Sequence, residues 1–152
     1  MRFQSTQASC GPAALRNALL CHRIERSEAE LELLTGCTAP DGTSPKGIVK
    51  ALSLVAKDAP SVSPSVLSEA RPDVAILRVI AALQAGHVVI LCVDEFEHWV
   101  VAFGLLGMGA RIIVHVSDSA DSEMVQHLTP DELLARWRGP EGTRKPYFGV
   151  IV

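Results

Sequence analysis

Cys10 stands in the run Gln4–Leu15, QSTQASCGPAAL, and is followed by Gly11 and Pro12 where a helix is predicted to begin. The free backbone N–H groups of a helix start favour negative charge, so a thiol placed there is set to ionise and act as a nucleophile. His98 opens the apolar run HWVVAFGLL after the acidic stretch 94–97, a position suited to a general base at the mouth of a strand. Asp118, in HVSDSAD, ends the next strand-like segment. Its carboxylate could accept one imidazole N–H and so fix the tautomer and ring orientation. Asp121 is a second candidate for that role. Gln4 lies six residues before the thiol. Its amide, with the Cys10 backbone N–H, would supply the donors that the oxyanion of an acyl transfer needs. Gln7 is the alternative donor, closer in sequence to the thiol.

Each of these residue types also has an ordinary structural use. A lone cysteine is often a small buried hydrophobe, a histidine can be bonded to a carbonyl, and an aspartate can close a turn. Position separates Cys10 from Cys21, Cys37 and Cys92, none of which sits at a helix start.

The elements that must position these groups are legible in outline. A first helix runs from about Cys10 to Cys21, with Ser9 as N-cap, Pro12 in the first turn and Gly11 allowing another segment to approach closely. A second helix starts at the capping box Ser27/Glu30 and ends at Gly36. A third begins at Thr43 or Ser44 with Pro45 first, and its apolar stripe is Ile48, Val49, Leu52, Leu54 and Val55. Prolines and serines between Pro60 and Pro72 break regularity, leaving room for one short edge strand within 61–67. Asp73 is expected to cap a helix over 74–85 that Gly86 closes. After Gly86 the period changes. Runs 87–93, 98–105 and 110–116 are short, apolar and β-branched, which predicts an antiparallel meander. The capping box Thr129-Pro130-Asp131-Glu132 starts a last helix to about Trp137, and 147–152 reads as a closing strand. The expected class is α+β, with an N-terminal helical half packed on an antiparallel sheet. Neighbouring strands of the meander would put His98 and Asp118 at the same end of the sheet.

Composition bounds the rest. At 152 residues the chain is predicted to form a single domain over 1–152, helical over about 1–86 and sheet over about 87–152. It is 48% apolar, 20% charged and carries a net charge of -3 without any Lys/Arg run. That excludes the basic footprint of a nucleic-acid or anionic-membrane binder. No apolar segment follows the basic start as in a signal peptide, so reduced thiols and a cytoplasmic protein are expected. The most apolar window, 74–93, contains Arg78, Gln84 and His87 and reads as a buried helix and strand, not a membrane span. There is no Cys-x-x-Cys pair, which argues against a zinc site.

Taken together, Gln4…Cys10-Gly11-Pro12-Ala13-Ala14-Leu15, then His98-Trp99-Val100-Val101, then Val114…Asp118 resembles the bacteriocin-processing, double-glycine leader peptidase family of papain-like cysteine peptidases. The resemblance extends over nearly the whole chain, including Gly86 and the Leu128…Leu133…Trp137 segment. It implies a papain-like fold, Cys10 as nucleophile, His98 as general base, Asp118 as its orienter and Gln4 in the oxyanion hole. It also implies a peptide or protein substrate cut after small residues, with no metal or organic cofactor. Ser119 stands where the family often has proline. The nucleotide-binding motif and membrane helices of the export ATPases to which such domains often belong are not in this sequence. Two other readings use the same residues: a transglutaminase- or deamidase-type acyl transferase, and a non-catalytic peptide-binding domain.

Overall fold

Short polar residues at helix starts set much of the architecture. In the computed structural model, which describes residues 1–107 and 111–152, Ser27 and Ser44 cap α2 (Glu28–Thr35) and α3 (Pro45–Asp58). Each accepts from the backbone N–H three residues on, Glu30 and Gly47. Thr129 and Glu132 form a reciprocal capping box on α5 (Pro130–Trp137), and Gly36, left-handed at φ 69°, ends α2. Two expected caps are corrected. Ser9 occupies the N-cap position of α1 (Cys10–Cys21) but makes no capping bond, because its hydroxyl turns back to Thr6. Asp73 lies inside the first turn of α4 (Pro72–Gln84), not before it: Pro72 starts the helix one residue earlier and Arg71 takes the cap position.

Among the described residues six strands form one antiparallel sheet in the order β1-β6-β2-β3-β4-β5. They are β1 (Ser65–Glu69), β2 (Val89–Val93), β3 (His98–Leu106), β4 (Ile113–Ser117), β5 (Val125–Leu128) and β6 (Tyr147–Ile151). The strand expected over 110–116 is β4, and Ala110 itself lies outside the described residues. The edge strand expected within 61–67 falls at β1, shifted toward the chain's C-terminus. β5 was not expected from the sequence.

Helices cover both faces of the sheet. α1, α2 and α3 pack over Ile90, Cys92, Trp99, Val101 and Val150, while α4 and α5 pack over Val89, Leu91, Val93, Val100 and Val116. Alternate residues of β2 and β3 therefore serve opposite cores, and β2 is buried at all five positions. This double covering explains why these strands read as unbroken apolar runs. On α1, Leu15 and Leu19 are fully buried, each worth about 2 kcal/mol of apolar burial. They hold the middle and the C-terminal half of that helix against the sheet. Among the described residues no helix is long and apolar enough to cross a membrane.

Candidate active site

Cys10 is the first residue of α1 and is 6% exposed. Gly11 explains how the helix start comes so close to the rest of the fold: a Cβ there would lie 2.5 Å from the Cβ of Thr43. The Thr43 carbonyl accepts from Trp99 Nε1 at 2.9 Å, so α1 is seated on the approach to α3, and that approach is tied to β3. The loop before Cys10 has its own anchor. Glu28 Oε1 accepts from the Ser5 N–H at 2.8 Å and from its hydroxyl at 2.5 Å, and Glu28 Oε2 pairs with Arg16 at 3.0 Å. Burial pushes the Glu28 carboxyl up, but the hydrogen bonds from Ser5 and Ser9 and the Arg16 charge outweigh it and hold it below its ordinary value. With the Ser9 hydroxyl turned away, the first amides of α1 carry no side-chain cap.

The β3–β4 hairpin brings the imidazole and the carboxylate together. His98 opens β3 and Asp118 follows the last residue of β4, and His98 Nε2 lies 2.7 Å from Asp118 Oδ1. That oxygen also accepts from the Ala120 N–H at 3.1 Å. Burial pushes the His98 imidazole down, but the hydrogen bonds and negative charge of Asp118 and Cys10 outweigh it and carry it up to about 9. Burial likewise raises Asp118, yet its bond and charge interaction with His98, the Ala120 N–H and Arg136 bring it down to about 2. Both shifts favour an imidazolium beside a carboxylate. With Nε2 on Asp118, Nδ1 is the ring nitrogen left for the thiol. Asp121 does not share this role: its carboxylate accepts from the Glu123 N–H and from Gln126 Nε2.

Gln4 is tied to the carboxylate side of the site. Its N–H donates to the Ser119 carbonyl at 3.1 Å, and the Ser119 hydroxyl donates to Gln4 Oε1 at 3.0 Å. Gln4 Nε2 then donates to the carbonyls of Thr6 at 2.9 Å and Gln7 at 3.4 Å. Beside Cys10 a cleft of about 600 Å³ is lined by Thr6, Gln7, Ala8, Ala39 and Glu97, among others. Gln7, the alternative donor, thus borders the cleft, while the Gln4 amide faces carbonyls of the loop that forms its rim.

The other cysteines are set apart by their surroundings. All four are free. Burial, then the charges of Cys10 and Glu97, push the Cys92 thiol up to about 12, so it stays protonated. Burial also raises Cys21. Among the described residues no three His, Cys, Asp or Glu side chains cluster as metal ligands.

Sequence reading missed Glu28, Ser119 and Arg136. Arg136, on α5, reaches Asp118 Oδ2 at 3.2 Å. Its 18-residue separation from that carboxylate leaves no local pattern to find.

No family model matches the chain, and no curated protein matches it in sequence. Solved structures do resemble it. The peptidase domain of Streptococcus ComA, a bi-functional ABC transporter involved in a quorum-sensing pathway, superimposes with a TM-score of 0.69 at 17% identity, covering 99% of this chain and 96% of that one. A double-glycine-motif protease from an AMS/PCAT transporter, in complex with its leader peptide, gives 0.65 at 17% identity over 97% and 86%. The peptidase domain of Streptococcus mutans ComA gives 0.59 at 16% over 100% and 98%. The chain has the α+β fold of these peptidase domains.

Proposed function

We propose that this chain is a cysteine peptidase that cuts a peptide or protein through an acyl-enzyme on Cys10. The observation that carries the reading is the His98–Asp118 contact of 2.7 Å, with the buried Cys10 thiol at the start of α1 among the groups that hold the same imidazole up. An imidazolium held between a carboxylate and a thiol at a helix start favours the thiolate, which is the attacking species. In the proposed course, Cys10 Sγ adds to the scissile carbonyl, and the oxyanion is met by the Cys10 N–H and by Gln4 Nε2. His98 gives its proton to the leaving amine, then takes one from water as that water attacks the thioester. Cys10 leaves as the thiolate. Gln4 must exchange its carbonyl partners for the oxyanion, and Ser119 supports that role by fixing the oxygen end of the amide. Free thiols at all four cysteines suit such a catalyst.

The double-glycine motif named for a similarly folded protease supports cleavage after small side chains. The leader peptide bound by a similarly folded double-glycine protease supports a leader-like substrate. The test is digestion of a peptide library rich in Gly-Gly, Gly-Ala and Ala-Ala junctions, with and without an added amine. Cleavage after a small residue by wild type and none by Cys10→Ala is expected. Equal cleavage by both proteins, or amine-dependent products without hydrolysis, would overturn the reading.

A further inference from the structure

We propose that Arg136 is a positioning residue for the His98–Asp118 pair, clamping that carboxylate and the turn that leads into the histidine. The proposal rests on the reading of Cys10 and His98 given above. Asp118 is buried, and while its Oδ1 faces His98 and Ala120, its Oδ2 is reached by Arg136 Nη2 at 3.2 Å. The same guanidinium grips Asp94 twice, Nε to Oδ1 at 3.1 Å and Nη2 to Oδ2 at 2.6 Å. Its Nη1 donates to Gln126 Oε1 on β5 at 2.8 Å. One side chain from α5 therefore spans the turn before β3, the end of β4 and the adjacent edge strand. A lysine could not, since it offers a single point charge where the planar fork offers donors in several fixed directions.

The turn needs a clamp. Asp94, Glu95 and Phe96 are three successive non-glycine residues with positive φ, at 51°, 58° and 72°. Such residues persist in the left-handed region only where surrounding contacts over-determine them. Here Arg136 holds Asp94, the Cys92 thiol donates to the Phe96 carbonyl at 3.6 Å, and the Phe96 ring lies over Gly139, where a Cβ would be 2.4 Å from it. His98 follows this turn after one residue, so the turn's conformation fixes where the imidazole enters the site. The charged and titratable groups around the pair are Cys10 from α1, Cys92 from β2, Asp94 and Glu97 from the turn, Asp121 from the loop after β4, and Arg136 from α5.

The test is an NMR titration of His98 in the full chain, wild type against Arg136→Gln and Arg136→Lys, with iodoacetamide labelling of Cys10 at pH 6 as the second readout. In wild type the midpoint is expected near 9. In Arg136→Gln the carboxylate loses its second donor and the turn its clamp. The midpoint should then fall by about one pH unit and labelling by about tenfold, with Arg136→Lys between the two. A midpoint that stays in place overturns the proposal. So does one that rises, since removing a mere counter-charge from Asp118 would raise it. A change in melting temperature without a change in midpoint would also count against a positioning role. Should Arg136→Gln not fold, Asp94→Asn loosens the same clamp away from Asp118, and a smaller fall in the same direction is expected; no fall there overturns the proposal. A wild-type midpoint near 6.5 would instead break the Cys10–His98 pairing on which the proposal stands.

Discussion

On the strand side of the cleft, His98, Asp118, Arg136 and Asp94 form a chain of ionic contacts between 2.6 and 3.2 Å. On the helix side, Gln4, Ser5, Thr6 and Ser9 are held mainly by hydroxyl and carbonyl bonds, anchored on the single buried carboxylate of Glu28. In the proposed reading the strand side already has its reacting geometry, since His98 Nε2 lies 2.7 Å from Asp118 Oδ1. The helix side does not, because the Gln4 amide is bonded to the carbonyls of Thr6 and Gln7. Damage to the first side should therefore appear in protonation and rate, and damage to the second in transition-state stabilisation.

The largest effect is expected at the orienting carboxylate. Asp118→Asn keeps the shape but allows the wrong tautomer, and should lower kcat about 10³- to 10⁴-fold on a cleaved peptide. It should also bring the His98 titration down toward 6.5. Gln4→Ala should lower kcat about 10²- to 10³-fold with KM nearly unchanged and leave the His98 titration in place. If Gln4→Ala moved that titration as far as Asp118→Asn does, the two sides would not be separable as described. Ser119→Ala, which frees only the oxygen end of the Gln4 amide, should have a smaller effect of the same kind, about tenfold or less.

The strand side should also show in stability. His98 holds its proton more tightly folded than unfolded, so its pairing stabilises the fold fully below pH 6.5 and is lost as pH rises through about 9. Asp118 holds its proton less tightly when folded, so its contribution is present above pH 3.8 and is lost as pH falls through about 2. Denaturant unfolding of wild type minus Asp118→Asn should therefore show the largest gap between about pH 4 and 6.5. A gap that grows above pH 9 would contradict the pairing. The smallest effect is expected at the far end of β2: Gly86→Ala puts a Cβ on a residue at φ 85° between α4 and β2, costs about 1 kcal/mol and should leave both sides of the cleft unchanged.

Much of the geometry of this candidate site is legible in the sequence, because its parts are signalled locally. A cysteine-glycine-proline helix start, a histidine opening an apolar strand and an aspartate closing the next strand are short-range patterns, and hairpin geometry then brings the last two together. Capping boxes and prolines set α2, α3 and α5 in the same way. What could not be read depends on long-range pairing. β5 is four half-polar residues at a sheet edge, and only its ladder with β4 distinguishes it from loop. Arg136 lies 42 residues from Asp94 and Glu28 lies 23 from Ser5, so neither contact leaves a periodic trace. Ser9 was misread because its hydroxyl has two local uses, the helix amides or Thr6, and the loop takes the second.

The claim that Cys10 and His98 act together on an acyl group is tested most directly by site-resolved alkylation. Wild type is treated with limiting iodoacetamide at pH 6, and the modified cysteines are identified by mass spectrometry. Cys10 is expected to react at least about 100-fold faster than Cys21, Cys37 or Cys92, and His98→Ala should abolish that advantage. A Cys10 that labels no faster than exposed Cys21, or that keeps its rate without His98, would contradict the account.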